Sequence, residues 1–164
     1  MDKKLRKQQN LLVDAGTGVI LFAIWSVAKV NLYLGVSSFL LEELNKAALE
    51  YGVSEKVLLL LMGSILALVL LWMLCSRLYI GLNAIAEGKG RKRGWAYLVL
   101  TAVLLLTDMQ TFWQVNLVSI LFGGLQNAFS MSVSFVLELV SLYMLLELLI
   151  CGIRVKRLRK MEKE

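Results

Sequence analysis

The sequence predicts an all-α polytopic membrane protein, with four transmembrane helices in an antiparallel bundle and both termini in the cytoplasm. Three observations predict it. The 164 residues are 59% hydrophobic, with mean hydropathy +0.72 and no proline, which is more apolar surface than a water-soluble domain of this length buries. Four segments, residues 12–41, 57–86, 95–115 and 129–153, each reach the roughly 20 residues that a helix rising about 1.5 Å per residue needs to cross a hydrocarbon core about 30 Å thick. Finally, the basic residues are unevenly shared among the connections, and that asymmetry sets orientation.

The first segment follows Lys3, Lys4, Arg6 and Lys7. A basic start and an apolar core have the layout of a secretory signal. No small-residue cleavage pattern ends the core, and Lys29 interrupts it, so a retained helix is expected. The second segment carries a stripe of Gly63, Ala67, Leu70, Leu74, Arg77, Gly81, Ala84 and Gly88. Its small members, Gly63, Ala67, Gly81 and Ala84, allow backbones to approach closely, so this is the expected helix-packing face. The third and fourth segments are Leu/Val-rich, without the period-two alternation and regular turn spacing of a barrel. Backbone groups in lipid must then be satisfied within helices.

Lys89, Arg91, Lys92 and Arg93 fill the connection after the second segment, and Arg154, Lys156 and Arg157 open a basic tail after the fourth. The connection between the first two segments has Lys46 and Lys56 beside Glu42, Glu43, Glu50 and Glu55. The positive-inside rule therefore places both termini and the 87–94 connection in the cytoplasm, and the plasma (cytoplasmic) membrane is the expected location. An even number of crossings follows. Residues 114–127, QVNLVSILFGGLQN, are too short for a fifth span and read as a helix extension, an interfacial helix or a re-entrant turn bending at Gly123-Gly124. No repeat, low-complexity tract or soluble domain interrupts residues 1–164, which read as one domain with short basic tails.

Ionisable residues inside the spans need partners or water, because a charge at mid-bilayer costs at least about 2.5–3.5 kcal/mol on insertion scales. Counting along each helix, Lys29, Asp108 and Glu138 lie roughly 25, 20 and 22 Å above the inner boundary. They are the candidate intramembrane cluster, either an ion pair or an ion or substrate path. Asp108 shares a stripe with Tyr97, Thr101 and Thr111, and Glu138 shares one with Ser134 and Ser141. Glu147 lies on the far side of its helix from Glu138, at a depth similar to that of Arg77, and Arg77 with Glu147 is the expected structural ion pair.

With no histidine, imidazole metal ligation and histidine-based acid–base or nucleophilic catalysis are excluded. Cys75 and Cys151 are isolated and read as small buried hydrophobes. GKGRKRG, residues 88–94, lacks the order of a phosphate-binding P-loop. No cofactor or metal is expected, and no nucleic acid, since no aromatic platform is interleaved with the cations. The expected partners are anionic headgroups on the cytoplasmic side, together with a membrane protein partner or a second copy of the chain. The leading function class is a non-catalytic accessory, regulatory or assembly subunit. The alternative is a small oligomeric transporter or channel using Lys29, Asp108 and Glu138, and a membrane enzyme is the weakest class.

Overall fold

The computed structural model describes residues 3–36, 54–113 and 128–161, with the side chains of 29–36, 55 and 128–134 outside that description. Among the described residues there are four helices and no strand: α1 Lys3–Val36, α2 Glu55–Gly88, α3 Ala96–Thr111 and α4 Ala128–Met161. Stretches of three of them, Lys3–Ala28, Lys56–Gly88 and Phe135–Met161, are long and apolar enough to cross a membrane. The fourth, α3, is apolar over 16 residues. The expected fold of 114–127 lies outside the described residues.

Two helices are longer than hydropathy predicts. Both basic tails are helical, Lys3–Lys7 in α1 and Arg154–Lys160 in α4. Lys and Arg are good helix formers, and cations in the last turn of α4 complement the negative end of its macrodipole. Hydropathy sees only the apolar part of such a helix.

The chain divides into two compact units, Met1–Leu21 with Leu78–Glu164, and Phe22–Arg77. The core of the first is built from stripes at helical spacing. Leu5, Leu12, Ala15 and Val19 of α1 are buried, as are Leu145, Leu148, Cys151 and Val155 of α4. Ile80 and Ala84 of α2 and Tyr97 and Leu98 of α3 complete it. Towards the end of α3, the Phe112 ring lies 5.0 Å from that of Phe135 in α4.

Between α1 and α2 this unit relies on missing side chains. A Cβ on Gly81 would stand 2.7 Å from the Gly16 carbonyl oxygen and 2.5 Å from Ile20 Cγ1. One on Gly88 would meet the Gln9 carbonyl at 2.7 Å and Val13 Cγ2 at 2.5 Å. At this range the two backbones are in direct van der Waals contact, the kind of packing that small residues at helical spacing permit.

α2 stops in a C-terminal motif written in the sequence Glu-Gly-Lys-Gly. Gly90 has φ +91°, in the left-handed region that glycine enters without steric cost. The Arg91 N–H then donates to the Ala86 carbonyl and the Gly90 N–H to the Glu87 carbonyl, both at 3.0 Å. This is the Schellman arrangement, which satisfies carbonyls that the helix leaves open.

In the second unit Ala23 is buried, and Arg77, 6% exposed, donates from Nη1 to Ser26 Oγ at 3.3 Å. Much of α2 in this unit is exposed, including Leu60, Leu68 and Trp72. An apolar helix surface of this kind suits lipid as its solvent. Its hydroxyls are settled locally, Ser64 donating to the Leu60 carbonyl at 2.7 Å and Ser76 to that of Met73 at 3.0 Å.

Candidate functional site

The most elaborate polar arrangement described is where α2 ends, the connection turns and α4 returns. At its centre is Glu87, its residue 1% exposed. A carboxylate in the last turn of a helix opposes the macrodipole, and burial adds desolvation, so the position needs strong compensation. It receives one hydrogen bond and two ion pairs. Tyr97 donates its phenolic O–H to Glu87 Oε2 at 2.7 Å, Lys156 Nζ stands 3.2 Å from the same oxygen, and Arg159 Nη1 is 3.6 Å from Oε1.

The sequence prepares each contact. Lys156 and Arg159 are three residues apart on α4 and so share a face. Gly152 opens the path for the tyrosine, because a Cβ there would stand 3.1 Å from Tyr97 Oη and 2.5 Å from Leu98 Cδ2. Thr101, fully buried one turn after Tyr97, donates to the Tyr97 carbonyl at 2.7 Å.

The same cations hold the connection. Lys156 Nζ also donates to the carbonyls of Arg93 and Gly94 at 2.7 and 3.1 Å. The same ammonium thus serves two backbone carbonyls and the Glu87 carboxylate. Its charge lies 5.3 Å from the Trp95 ring centre and 5.5 Å from that of Tyr97, within the range of cation–π attraction. Arg159 donates from Nη2 to the Glu87 carbonyl at 2.7 Å and from Nη1 to that of Arg91 at 3.3 Å. Lys156 and Arg159 therefore fix residues 87–94 against α4.

Magnitudes decide what the cluster does. A charge pair about 4 Å apart gains about 4 kcal/mol at an effective dielectric constant of about 20, while removing each ion from water costs several kcal/mol. The net is close to balance, so the arrangement specifies geometry more than it adds stability. Tyr97→Phe removes one donor without changing charge. It is expected to cost about 1.5–3 kcal/mol, the range for hydrogen bonds to charged groups, read as a lower thermal midpoint in mild detergent. A loss under about 0.5 kcal/mol, the level of an ordinary surface change, would show that the phenol is dispensable.

The other sequence-predicted residues are distributed as follows. Asp108 and Glu138 are both partly buried in the first unit, where Ser141 is buried and Thr111 exposed. Lys29 lies in the helical part of the second unit, its side chain outside the description. Arg77 closes the second unit, while Glu147 is partly buried in the first. Of the small-residue stripe, Gly81 and Ala84 are buried, whereas Gly63 and Ala67 are exposed. Among the basic residues, Lys89, Arg91, Lys92, Arg93, Arg154 and Arg157 are exposed and Lys156 is drawn inward. Cys151 is buried as expected, but Cys75 is exposed, because here α2 buries the face that carries Ser76 and Arg77 instead. Among the described residues no group of three His, Cys, Asp or Glu is placed to hold a metal.

No family model, curated protein or solved structure matches this chain.

Proposed function

We propose that this chain is a four-span integral membrane protein with both termini in the cytoplasm, serving as a non-catalytic accessory, regulatory or assembly subunit of a larger membrane complex. One observation carries the reading: the most deeply buried carboxylate described, Glu87, is committed to a tyrosine hydroxyl and two cations, and those cations also fix the adjoining backbone. Groups so occupied hold a shape and have little freedom to exchange protons or ligands with a substrate. Antiparallel packing is supported by the pairing of Gly16 with Gly81 and of Gln9 with Gly88. Cytoplasmic placement of the termini rests on charge, since the exposed cations of the first unit concentrate in residues 3–7, 89–93 and 154–160.

The competing reading is transport through Lys29, Asp108 and Glu138, and it is favoured by the partial burial of both carboxylates in one unit. Purification from native membranes in mild detergent, followed by mass spectrometry, separates the two. A membrane protein retained in fixed ratio is the expected result. A homogeneous oligomer that conducts ions in liposomes, and stops when Glu138 or Lys29 is neutralised, would replace this reading with transport.

A further inference from the structure

Three basic segments far apart in sequence meet at one end of the first unit. The first turns of α1, with Lys3, Lys4, Arg6 and Lys7 exposed, lead into Gln9 and Val13, which lie against Gly88. The 89–93 connection follows directly, and α4 reaches it through Lys156 and Arg159. These cations divide by role. Lys156 and Arg159 turn inward, whereas Arg154, Arg157 and Lys160, spaced three apart on α4, are exposed. Glu87 is paired with the inward cations, while the outward ones stand exposed.

From this we infer that the pinned 89–93 connection, with the exposed cations of α4 beside it, is a preorganised site for the phosphate of anionic phospholipid headgroups. The inference rests on the membrane reading above and does not require a protein partner. Four cations within five residues repel one another, and an unpinned chain would spread them apart. Here the Arg91, Arg93 and Gly94 carbonyls are held by α4, while the side chains of Arg91, Lys92 and Arg93 remain exposed. Trp95 selects lipid over an acidic protein. It is 60% exposed, lies between the cations and the apolar α3, and has Lys156 against its ring, the placement of an indole at the level of the headgroups. The loop thus sits where an apolar span gives way to charge, the depth at which lipid phosphates lie.

The test uses the full chain in mild detergent, mixed with equal parts of phosphatidylglycerol and phosphatidylcholine, with retained lipids counted by native mass spectrometry. Phosphatidylglycerol is expected to be enriched, and Arg91→Gln or Lys92→Gln to lower its retention about fivefold each. Glu87→Gln gives the sharper result. It raises the positive charge of this end by one, yet it frees the connection, so a built site predicts lower retention and diffuse attraction predicts higher. Should that variant aggregate, Tyr97→Phe, which keeps every formal charge, is expected to lower retention as well. Equal retention of the two lipids, or greater phosphatidylglycerol retention in Glu87→Gln, would overturn the inference, as would unchanged retention in Tyr97→Phe. An acidic protein held through Arg91 and Lys92 without lipid enrichment would assign the surface to protein instead. None of these outcomes depends on whether a membrane partner co-purifies.

Discussion

Glu87→Gln is expected to lower stability by about 3–5 kcal/mol, the loss typical when one partner of a buried ion pair is removed and the other remains. The Lys156 side chain is 10% exposed and that of Arg159 is 18% exposed, so neither cation regains much water when the carboxylate disappears. Glutamine still offers a carbonyl to the Tyr97 hydroxyl, and the loss is therefore mainly electrostatic. Thermal denaturation in detergent should show it as a large fall in midpoint, accompanied by faster proteolysis after the basic residues 89–93 as the connection comes loose. Lys92→Gln, at an exposed position of the same connection, should leave stability within about 0.5 kcal/mol of the parent. If both substitutions have equally small effects, the carboxylate is not holding the turn.

Gly81→Val is expected to cost about 1–3 kcal/mol, or more, by overpacking. Its first added carbon would stand 2.7 Å from the Gly16 carbonyl oxygen, and backbone cannot rotate away as a side chain can. The helices must separate, which also strips contacts from Ala84 and Ile85, the neighbours of Gly16. Gly63 provides the internal control. A Cβ there meets nothing within 4 Å, so Gly63→Ala should be neutral or slightly stabilising, by the helix-propensity gain of up to about 1 kcal/mol. The expected readout is a drop in thermal midpoint for Gly81→Val alone. Equal responses at the two glycines would show that close approach at Gly81 does not matter.

Much of the helical architecture is legible in the sequence, because apolar length is a local property. Four helices follow from four apolar runs, and the reading of Gly81 and Ala84 as packing residues follows from small side chains at helical spacing. The same stripe continues to Gly63 and Ala67, which are exposed; spacing identifies a face but not how far along the helix a neighbour extends. The helical continuation of both basic tails escapes a hydropathy reading, since polar residues extend a helix without extending its apolar run.

The charge cluster was harder to foresee. Glu87 stands beside cations at residues 89–93, where a lone carboxylate reads as part of a solvated connection. Its burial depends on Lys156 and Arg159, the latter 72 residues away in sequence, and no local pattern reports such a contact. One signal was present: an acidic side chain in the last turn of a helix is electrostatically misplaced and implies a cation brought from elsewhere. The inward and outward shares of the tail follow from its helical phase, once the tail is known to be helical.

Glu87 and Lys156 act together to fix the basic connection against α4, and a double-mutant cycle over Glu87→Gln and Lys156→Gln measures that coupling directly. With the two groups 3.2 Å apart and both largely buried, the pair should show a coupling energy of at least about 1.5 kcal/mol, towards the upper part of the range for residues sharing one network. The double variant should accordingly be far more stable than the sum of the two single losses allows. Losses that add to within about 0.5 kcal/mol, as those of independent sites do, would show that Glu87 and Lys156 do not hold the connection together.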